Sequence, residues 1–402
     1  MEREELGSWL RLTLTPGVGN ESARKLLATF GLPETLFHQP TAALCQVVSV
    51  AQAVSLRTEP PELAHLLDLT WRWLQDPEAV DLPRRIVVLG DVDYPASLLS
   101  IEDPPLMLYL LGVGHCAGES GANHVDQGSA SSRAIDLNLA HSIAMVGSRN
   151  PTPQGAANAR HFAKAFGQAG LTVVSGLALG VDGAAHEGAL DSVAPGSRRL
   201  ATVAVVGTGL DRVYPKSHRE LAHRIALNGL LVSEYPLGTP PLPANFPKRN
   251  RLIAGLAQGT LVVEAALKSG SLITARLSVE QGKDVFAIPG SIHSTQARGC
   301  HALIKQGAKL VESAQDVLEE MKFDACGAGV ALDDLDAPTV AGVFGAETGL
   351  IEALGFDPVG LEALQARCGM DTANLQAQLM ALELDGRLAR LPGGLFQRLK
   401  SA

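Results

Sequence analysis

The feature that most constrains the fold is an alternation of short β-branched segments with helix-compatible stretches, which runs from residue 86 to about residue 311. Eight segments have the length and composition of buried strands: residues 86–89, 143–146, 172–174, 202–206, 230–232, 260–263, 284–288 and 309–311. Strands that alternate with helices form a mostly parallel sheet, and helices cover both of its faces. The sequence therefore predicts an α/β core built on a mostly parallel sheet.

Small residues and one arginine follow two of these segments, at the carboxyl ends of predicted strands, where parallel sheets bind their ligands. They are Gly147, Ser148, Arg149, Ser175 and Gly176. The helix-compatible stretch 151–167 comes soon after Arg149, so this side chain is predicted to lie beside a helix N-terminus. Free amides and the helix dipole at such a position favour phosphate oxygens.

A second cationic stretch has the sequence F-P-K-R-N-R at residues 246–251, ahead of the apolar run 252–256. We predict a basic loop here, on the same sheet as the turn that carries Arg149. Phe246 fits two roles, a stacking surface for a base or a plug of the core beneath the loop. The sequence leaves both open.

The charge distribution favours a single anion-binding region. The whole chain has 33 Lys and Arg against 42 Asp and Glu, whereas the segment 147–251 has twelve Lys and Arg against six Asp and Glu. A basic segment in an acidic chain attracts anions to one place. Two cationic loops with an aromatic residue favour a polyanion over a small metabolite, and we predict nucleic acid. Four cations of the segment are expected to be ordinary solvated helix residues: Arg160, Lys164, Arg219 and Arg224.

A third loop, Ser269, Gly270 and Ser271, precedes the helix-compatible stretch 272–281. Ser271 is a candidate N-cap, and Gly270 would leave the first amides of the helix accessible to an anion. Capping alone explains Ser271, but it does not explain the two residues before it.

Motifs of the common nucleotide-dependent enzymes are missing from the sequence. Residues 207–212 read G-T-G-L-D-R, with arginine at the third glycine of the dinucleotide fingerprint, and no Walker A motif occurs. Asp182 and His186 have the spacing of an acid–base pair on a helix, but we interpret His186 as a structural residue that Asp182 satisfies. Glu234 and Glu264 follow strands without an evident metal site. We therefore predict no catalytic residues, no metal and no cofactor.

Length and composition are typical of a globular protein with two or three domains, because 402 residues with 46% apolar and 19% charged content can bury sizeable cores. No segment approaches the roughly 18 to 20 apolar residues of a membrane helix, and residues 1–5 lack a signal-peptide profile. The five cysteines are isolated, which argues against disulfides and structural zinc. We expect a cytoplasmic protein without membrane contact.

We divide the chain into three domains, residues 1–80, 81–325 and 338–402. The first is helical in pattern, and the sequence L-T-P-G-V-G at 14–19 predicts the hairpin of a SAM-like or helix-hairpin-helix-like domain. Amides at Gly17 and Gly19 either hold a phosphate there or only form the turn. Residues 112–138 are rich in Gly, Ser, Ala and Asn and are predicted to be a mobile insertion.

The last domain is predicted to be a winged helix. Its helices are expected at 350–354, 361–367 and 372–384, before a strand-turn-strand at 388–399. Residues 347–400 contain seven acidic and five basic residues, and the predicted recognition helix has no Lys or Arg. We therefore predict an interaction or regulatory module rather than a second DNA reader.

Several motifs of the core occur in a characteristic order and spacing. They are V-G-S-R at 146–149, S-G-L-A-L-G-V-D-G-A-A-H at 175–186, G-L-D-R-V-Y-P-K at 209–216, S-E-Y-P at 233–236, N-F-P-K-R-N-R-L-I-A-G-L at 245–256, V-V-E-A at 262–265, S-G-S-L-I-T-A-R at 269–276 and V-F-A-I-P-G at 285–290. Together, over roughly half of the chain, they resemble the DNA-processing protein A family, also called DprA or Smf.

The resemblance implies an extended Rossmann-like core that binds single-stranded DNA without a nucleotide cofactor. It also implies a homodimer that forms through this core and loads a RecA-type recombinase onto incoming DNA during natural transformation. Carried over by motif, Arg149 and Lys216 are the leading phosphate contacts. The full predicted DNA-binding set is Gly147, Ser148, Arg149, Ser175, Gly176, Lys216, Asn245, Phe246, Lys248, Arg249, Asn250, Arg251, Ser269, Gly270, Ser271 and Thr274.

The alternative function is that of a nucleotide-processing hydrolase from the related phosphoribohydrolase-like group. Such enzymes carry a P-G-G-x-G-T-x-x-E loop, and this sequence has none. We therefore favour a DNA-binding protein that is not an enzyme.

Overall fold

A nine-stranded sheet forms the centre of the fold. The computed structural model describes residues 1–76, 82–112, 139–194, 199–323, 347–354 and 358–399. The strands of the sheet are β1 (Arg84–Val88), β2 (Met107–Leu111), β3 (Ser142–Val146), β4 (Thr172–Ser175), β5 (Thr202–Val206), β6 (Leu230–Ser233), β7 (Gly259–Val262), β8 (Asp284–Ala287) and β9 (Lys309–Leu310). All eight predicted strands are present, with ends within about two residues of the predicted ones.

The sheet is mostly parallel, as predicted. Its order is β1-β2-β6-β5-β4-β3-β7-β8-β9, and every pair from β6 to β9 is parallel. Strands β1 and β2 extend the sheet as an antiparallel edge beyond β6. Sequence reasoning missed β2, because its residues M-L-Y-L-L contain no β-branched side chain that would separate a strand from a helix.

The strand order reverses at β3. From β3 the chain adds β4, β5 and β6 on one side, and it then returns to place β7 on the other side. The loops after β3 and β7 therefore diverge and leave a crevice between them. In open parallel sheets this is the place where ligands bind.

Helices cover both faces of the sheet. They are α7 (Ala96–Leu99), α8 (Pro153–Ala169), α9 (Val181–Leu190), α10 (Arg219–Asn228), α11 (Asn245–Leu256), α12 (Ser271–Glu280), α13 (Arg298–Lys305) and α14 (Ala314–Glu320). On one face, Phe162 and Phe166 of α8 pack on β3 and β7. On the other face, Leu252 and Ile253 of α11 join a core with β3, β4 and β5. The predicted two-sided covering is confirmed.

Six helices precede the sheet within the described residues 1–76. They are α1 (Arg3–Leu14), α2 (Asn20–Phe30), α3 (Pro33–His38), α4 (Thr41–Leu44), α5 (Val50–Arg57) and α6 (Leu63–Leu74). Their buried side chains share one hydrophobic cluster with β1 and β2, and the ring centroids of Trp73 and Tyr109 lie 6.2 Å apart. The helical character of this region is confirmed. Its boundary at residue 80 and its likeness to SAM or helix-hairpin-helix domains stay predictions.

The C-terminal unit has the elements of a winged helix. They are α15 (Glu347–Leu354), β10 (Val359–Gly360), α16 (Leu361–Cys368), α17 (Thr372–Leu384), β11 (Leu388–Leu391) and β12 (Leu395–Arg398). Gly393 and Gly394 turn the chain between β11 and β12 with φ of 86° and 73°, a conformation that glycine adopts without strain. The short strand β10, which pairs with β12, was not predicted.

The predicted insertion lies outside the described residues from residue 113 onward. Among the helices of the described ranges, none combines the length and the apolar character that crossing a membrane requires.

Candidate nucleic-acid interface

A cavity of about 490 Å³ opens where the strand order reverses, between the loops after β3 and β7, and helix α11 forms one of its walls. Nine residues of the predicted DNA-binding set line it: Gly147, Ser148, Arg149, Phe246, Asn250, Ser269, Gly270, Ser271 and Thr274. The structure thus brings three separate segments of the sequence together in one crevice. The other seven residues of the set, all within the described part of the chain, do not line this cavity.

A cation and two aromatic rings form a row beside the cavity. The guanidinium carbon of exposed Arg149 lies 5.8 Å from the ring centroid of Phe246, within the range of a cation–π contact. The ring of Phe246 lies 5.4 Å from that of Tyr214, centroid to centroid, and Tyr214 is 48% exposed. The sequence analysis missed Tyr214, although this aromatic residue lies only two residues before Lys216, a predicted phosphate contact.

The ring of Phe246 is half-buried rather than enclosed in the core. It rests on Gly207, where an added Cβ would lie 3.3 Å from a ring carbon, and its neighbours are Arg149 and Tyr214. Of the two roles left open by the sequence, the geometry favours the stacking surface, because a core plug would be surrounded by apolar side chains.

The N-terminus of α12 faces the cavity, but its capping differs from the prediction. Ser271 is the first helical residue and Gly270 the N-cap, so the assignment of Ser271 as N-cap was wrong. The hydroxyl of Ser269 accepts the Ser271 amide proton at 3.3 Å and lies 2.7 Å from the Ser271 hydroxyl. Exposed Lys268 also lines the cavity. It was missed, although it directly precedes this loop.

The N-terminus of α8 is not available to a phosphate. The carboxylate of Glu264 accepts hydrogen bonds from the Thr152 amide at 2.9 Å and from the Thr152 hydroxyl at 2.6 Å. Gly155, in the first turn of α8, has no room for a side chain because Glu264 lies against it. The predicted phosphate site at this helix end was therefore wrong: an internal carboxylate occupies it, and burial raises the pKa of this group.

The F-P-K-R-N-R stretch is part of helix α11, so the predicted loop was wrong. Successive helical residues point about 100° apart, which sends its cations in different directions. Arg249 is buried, Lys248 is exposed, and Arg251 is half-buried against carboxylates. The predicted convergence of these three cations on one ligand does not occur.

Arg249 supports the ends of two strands. Arg249 is 4% exposed, and its guanidinium donates to the carbonyl oxygens of Gly176, directly after β4, and of Val205 in β5. A Cβ on Gly176 would collide with this guanidinium, so the close approach of backbone at Gly176 serves Arg249 and not a ligand. Burial lowers the pKa of Arg249, and the negative charge of Asp182 opposes that effect.

Arg251 is held in an ion-pair network between the sheet and the N-terminal helices. It contacts Glu234 at 2.6 Å and Asp103 at 3.3 Å, and Asp103 also binds Arg24 at 2.7 Å. Burial raises the pKa of Asp103, but Arg24 and Arg251 outweigh it and keep that pKa below its ordinary value. Arg251 therefore has carboxylate partners in place of the predicted phosphate.

The N-terminal hairpin faces the same carboxylates. The side-chain amide of Asn20, the first residue of α2, donates to Asp103 at 3.2 Å and to Glu234 at 3.0 Å. Carboxylates at this helix start would repel a phosphate. Of the two roles left open for Gly17 and Gly19, the structure favours the turn.

The remaining four predicted residues have separate positions. Ser175 is fully buried and donates to the Met145 carbonyl at 2.7 Å, and Asn245 donates to the Gly207 carbonyl at 3.1 Å. Both therefore have structural partners. Lys216 and Lys248 are exposed, and Lys216 begins a short 3₁₀ turn two residues after Tyr214.

Asp182 and His186 do not form an acid–base pair. His186 is fully buried: its Nε2 accepts the Leu177 amide at 3.3 Å, and its Nδ1 lies 2.8 Å from the Thr202 hydroxyl. Because that hydroxyl donates to the Val173 carbonyl, Nδ1 carries the proton and the ring is neutral. The structural interpretation is supported, but the partner of His186 is Thr202 rather than Asp182.

The charged segment 147–251 contains cations that already have partners. Ion pairs within the described chain join Arg160 to Asp191 at 2.6 Å and Arg224 to the same carboxylate at 3.7 Å. These two arginines were predicted to be ordinary helix residues, and their positions agree. The cationic character of the cavity comes from Arg149 and Lys268.

The fold and the site define a Rossmann-like α/β protein with a cationic and aromatic ligand crevice at its strand-order reversal. Two family models match the chain: DNA recombination-mediator protein A over residues 133–322, and the DprA winged helix domain over residues 336–394. Protein Smf of Escherichia coli K12 is 37% identical over 335 residues, which cover 82% of this chain and 80% of that protein. The chain belongs to the DNA recombination-mediator protein A family, also called DprA or Smf.

Two further matches, one of sequence and one of structure, are to DprA of Streptococcus pneumoniae. Its DNA processing protein DprA is 43% identical over 230 residues, which cover 57% of this chain and 72% of that protein. The X-ray structure of DNA processing protein A from the same organism superposes with a TM-score of 0.61 at 33% identity, covering 81% of this chain and 99% of that one. The Rossmann-like core and the winged helix inferred from the sequence are thereby confirmed.

The buried neutral His186 predicts a pH-dependent stability. Burial lowers the pKa of His186 to about 3, whereas an unfolded histidine titrates near 6.5. Between these values the unfolded chain binds a proton that the folded chain does not, so the free energy of unfolding falls by about 1.4 kcal/mol per pH unit on acidification. We expect the stability advantage of wild type over His186→Asn to shrink from pH 6.5 to pH 5, at a rate that starts near half of this value and approaches the full value toward pH 5, measured by urea unfolding.

The exposed His223 on α10 provides the control for this experiment. The difference between wild type and His223→Asn should stay constant over the same pH range. A wild-type advantage over His186→Asn that is equally independent of pH would contradict the neutral buried state of His186.

Proposed function

We propose that this chain binds single-stranded DNA in the cavity at the strand-order reversal and that it acts as a recombination mediator. The observation that carries the proposal is the row formed by Arg149, Phe246 and Tyr214 beside that cavity. A guanidinium next to partly exposed aromatic rings suits a chain of alternating phosphates and bases.

The aromatic surface supports a single strand over a duplex. Bases in a duplex are stacked on one another, so their faces cannot reach protein side chains without unstacking. A single strand can place a base against Phe246 or Tyr214, which contributes about 1 to 3 kcal/mol per stacked base. Because every base has such a face, we expect little dependence on sequence.

The phosphate contacts come from the rim of the cavity. Arg149 and Lys268 are exposed there, and Lys216 lies two residues from Tyr214. The loop Ser269–Gly270 adds the start of α12, where Gly270 has no neighbour within 4 Å of an added Cβ. Among the predicted contacts, we assign structural roles to Ser175, Gly176, Asn245, Arg249 and Arg251, because each is engaged inside the protein.

We infer that the chain acts by binding and not as the alternative nucleotide-processing hydrolase. The candidate acids and bases of the core have structural partners: Glu234 binds Arg251, Glu264 binds Thr152, and His186 binds Thr202. Asp182 lies on the cavity wall, but it accepts the Ala178 amide and is buried. None of these groups, within the described residues, combines exposure to the cavity with a second acid or base.

Two further parts of the proposal concern partners. The family is one of recombination mediators, and a mediator must transfer its DNA to another protein. We propose a RecA-type recombinase as that acceptor. We also propose that the chain acts as a homodimer through its Rossmann-like core, which would place two crevices on one DNA strand and raise its effective affinity.

Removal of either leading cation should weaken DNA binding without sequence preference. We expect Arg149→Ala and Lys216→Ala each to lower the affinity for oligo(dT) and for a mixed-sequence oligonucleotide by a similar factor, about fivefold or more. Each should also reduce the slope of log affinity against log salt by about 0.7, the value for one phosphate of a single strand. Fluorescence anisotropy over a salt series measures both quantities.

Arg72→Ala on α6 is the matched control, because it removes an exposed arginine from the N-terminal helices. It should leave affinity and slope unchanged. A selective loss for one base composition, or losses as large in the control, would count against phosphate contacts at Arg149 and Lys216.

The winged helix is proposed to contact a protein partner and not DNA. Helix α17 has no Lys or Arg and exposes Met380 and Leu384, which are 64% and 79% accessible. We expect a chain that ends at residue 337 to keep its single-strand affinity within about threefold and to keep its salt slope, since no phosphate contact is removed. A tenfold loss of affinity in this truncated chain would show that the winged helix reads DNA.

A further inference from the structure

The loop at residues 176–178, between β4 and α9, has an unusual backbone. Leu177 is 1% exposed and has φ of 58°, which lies in the left-handed region that residues other than glycine rarely adopt. Such a conformation is strained, and it persists only where the surrounding structure determines it. The strained residue lies three positions before Gly180, which contacts the turn that carries Arg149.

Four side chains fix the backbone groups of this loop. Arg249 donates to the Gly176 carbonyl, and Asp182 accepts the Ala178 amide at 3.3 Å. The backbone amide and the backbone carbonyl of Leu177 are each hydrogen-bonded to a histidine. His186 accepts its amide at 3.3 Å, and His218 lies with Nδ1 3.1 Å from its carbonyl oxygen. Because a carbonyl only accepts, Nδ1 of His218 is the donor.

The loop in turn supports the Arg149 turn. The amide of Val181 donates to the Ser148 carbonyl at 3.1 Å. Gly180 has φ of 80°, and a Cβ there would lie 2.5 Å from the Ser148 carbonyl oxygen and 2.8 Å from the carbonyl carbon of Arg149. The two loops therefore touch through backbone atoms, and a shift of residues 176–180 would move Arg149.

His218 links this loop to the second predicted phosphate contact. It is the last residue of the 3₁₀ turn Lys216–His218, and its ring packs on α9, where a Cβ on Gly183 would lie 2.8 Å from Cε1. On the other side of Lys216, Tyr214 packs on Phe246. Lys216 is thus exposed between two anchors, an aromatic contact to α11 and a histidine hydrogen bond to Leu177.

We infer that His218 is a positioning residue for single-stranded DNA binding: through its bond to the Leu177 carbonyl it holds the Lys216 turn in register with the Arg149 turn, so that both cations meet one phosphate backbone. This inference rests on the proposed function. It assigns His218 no contact with DNA, since its effect is transmitted through Lys216.

Two substitutions of similar size separate this role from simple packing. The amide nitrogen of asparagine can stand where Nδ1 of His218 stands, whereas the longer glutamine places its amide near the position of Nε2. We expect His218→Asn to keep single-strand affinity within about twofold of wild type, and His218→Gln to lose about fivefold, within the usual range of coupling between neighbouring groups. Anisotropy with oligo(dT) over a salt series provides the readout, and thermal unfolding confirms that both variants are folded.

A double-mutant cycle tests the route through Lys216. In the Lys216→Ala background, His218→Gln should change affinity by less than about twofold, because the cation that it positions is already absent. The single His218→Gln variant should also show a smaller salt slope, closer to that of Lys216→Ala. His223→Gln on α10 is the control, and its affinity and slope should match wild type.

Additive losses in the cycle, or equal affinities of His218→Asn and His218→Gln, would overturn the positioning role while leaving the DNA-binding proposal intact. The failure of the DNA-binding proposal has a different signature: the wild-type chain would lack salt-sensitive affinity for oligo(dT), and the inference would fall with it.

Discussion

The arrangement of the core depends on helix α11 binding the carboxyl ends of two parallel strands. Asn245 donates to the Gly207 carbonyl after β5, and the buried guanidinium of Arg249 donates to Gly176 after β4 and to Val205 in β5. In dinucleotide-binding sheets a cofactor approaches such strand ends. Here side chains of the protein satisfy them. A buried cation without these carbonyls and the nearby charge of Asp182 would be strongly unfavourable.

Because side chains of α11 occupy the ends of β4 and β5, the ligand crevice is confined to the point between β3 and β7 where the strand order reverses. The N-terminus of α8 is likewise occupied by the carboxylate of Glu264. The charge of Arg251 is neutralised by Glu234 and Asp103. The open site is a cavity with Arg149, Lys268 and Phe246 on its wall and Tyr214 beside Phe246. The basic segment of the sequence thus yields only a small cationic surface, because cations such as Arg160, Arg249 and Arg251 are bound to groups within the protein.

Sequence reasoning predicted the sheet well, because β-branched runs separated by helical stretches leave few alternatives. It also identified the three segments that line the cavity: small residues after a buried strand indicated 147–149, clustered cations indicated 246–251, and the start of a helix indicated 269–271. It failed for the 246–251 stretch: a helix disperses adjacent cations, and no local signal showed that Arg249 would point inward. Gly176 was misinterpreted for the same reason, because the group that approaches it, Arg249, is 73 residues away in the chain. Long-range partners of this kind are fixed by packing and not by motif.

The most direct test compares Arg249 with Arg149, because both arginines belong to family motifs and both were predicted to contact DNA. Substitution Arg249→Met removes hydrogen bonds at the strand ends and keeps most of the volume, so the free energy of unfolding should fall by about 3 kcal/mol or more, because buried carbonyls lose their donors. Arg149→Ala should leave it unchanged within about 0.5 kcal/mol, as expected for an exposed side chain. Urea unfolding of both variants decides the matter. An Arg249→Met protein as stable as wild type, with its loss confined to oligonucleotide affinity, would contradict the account.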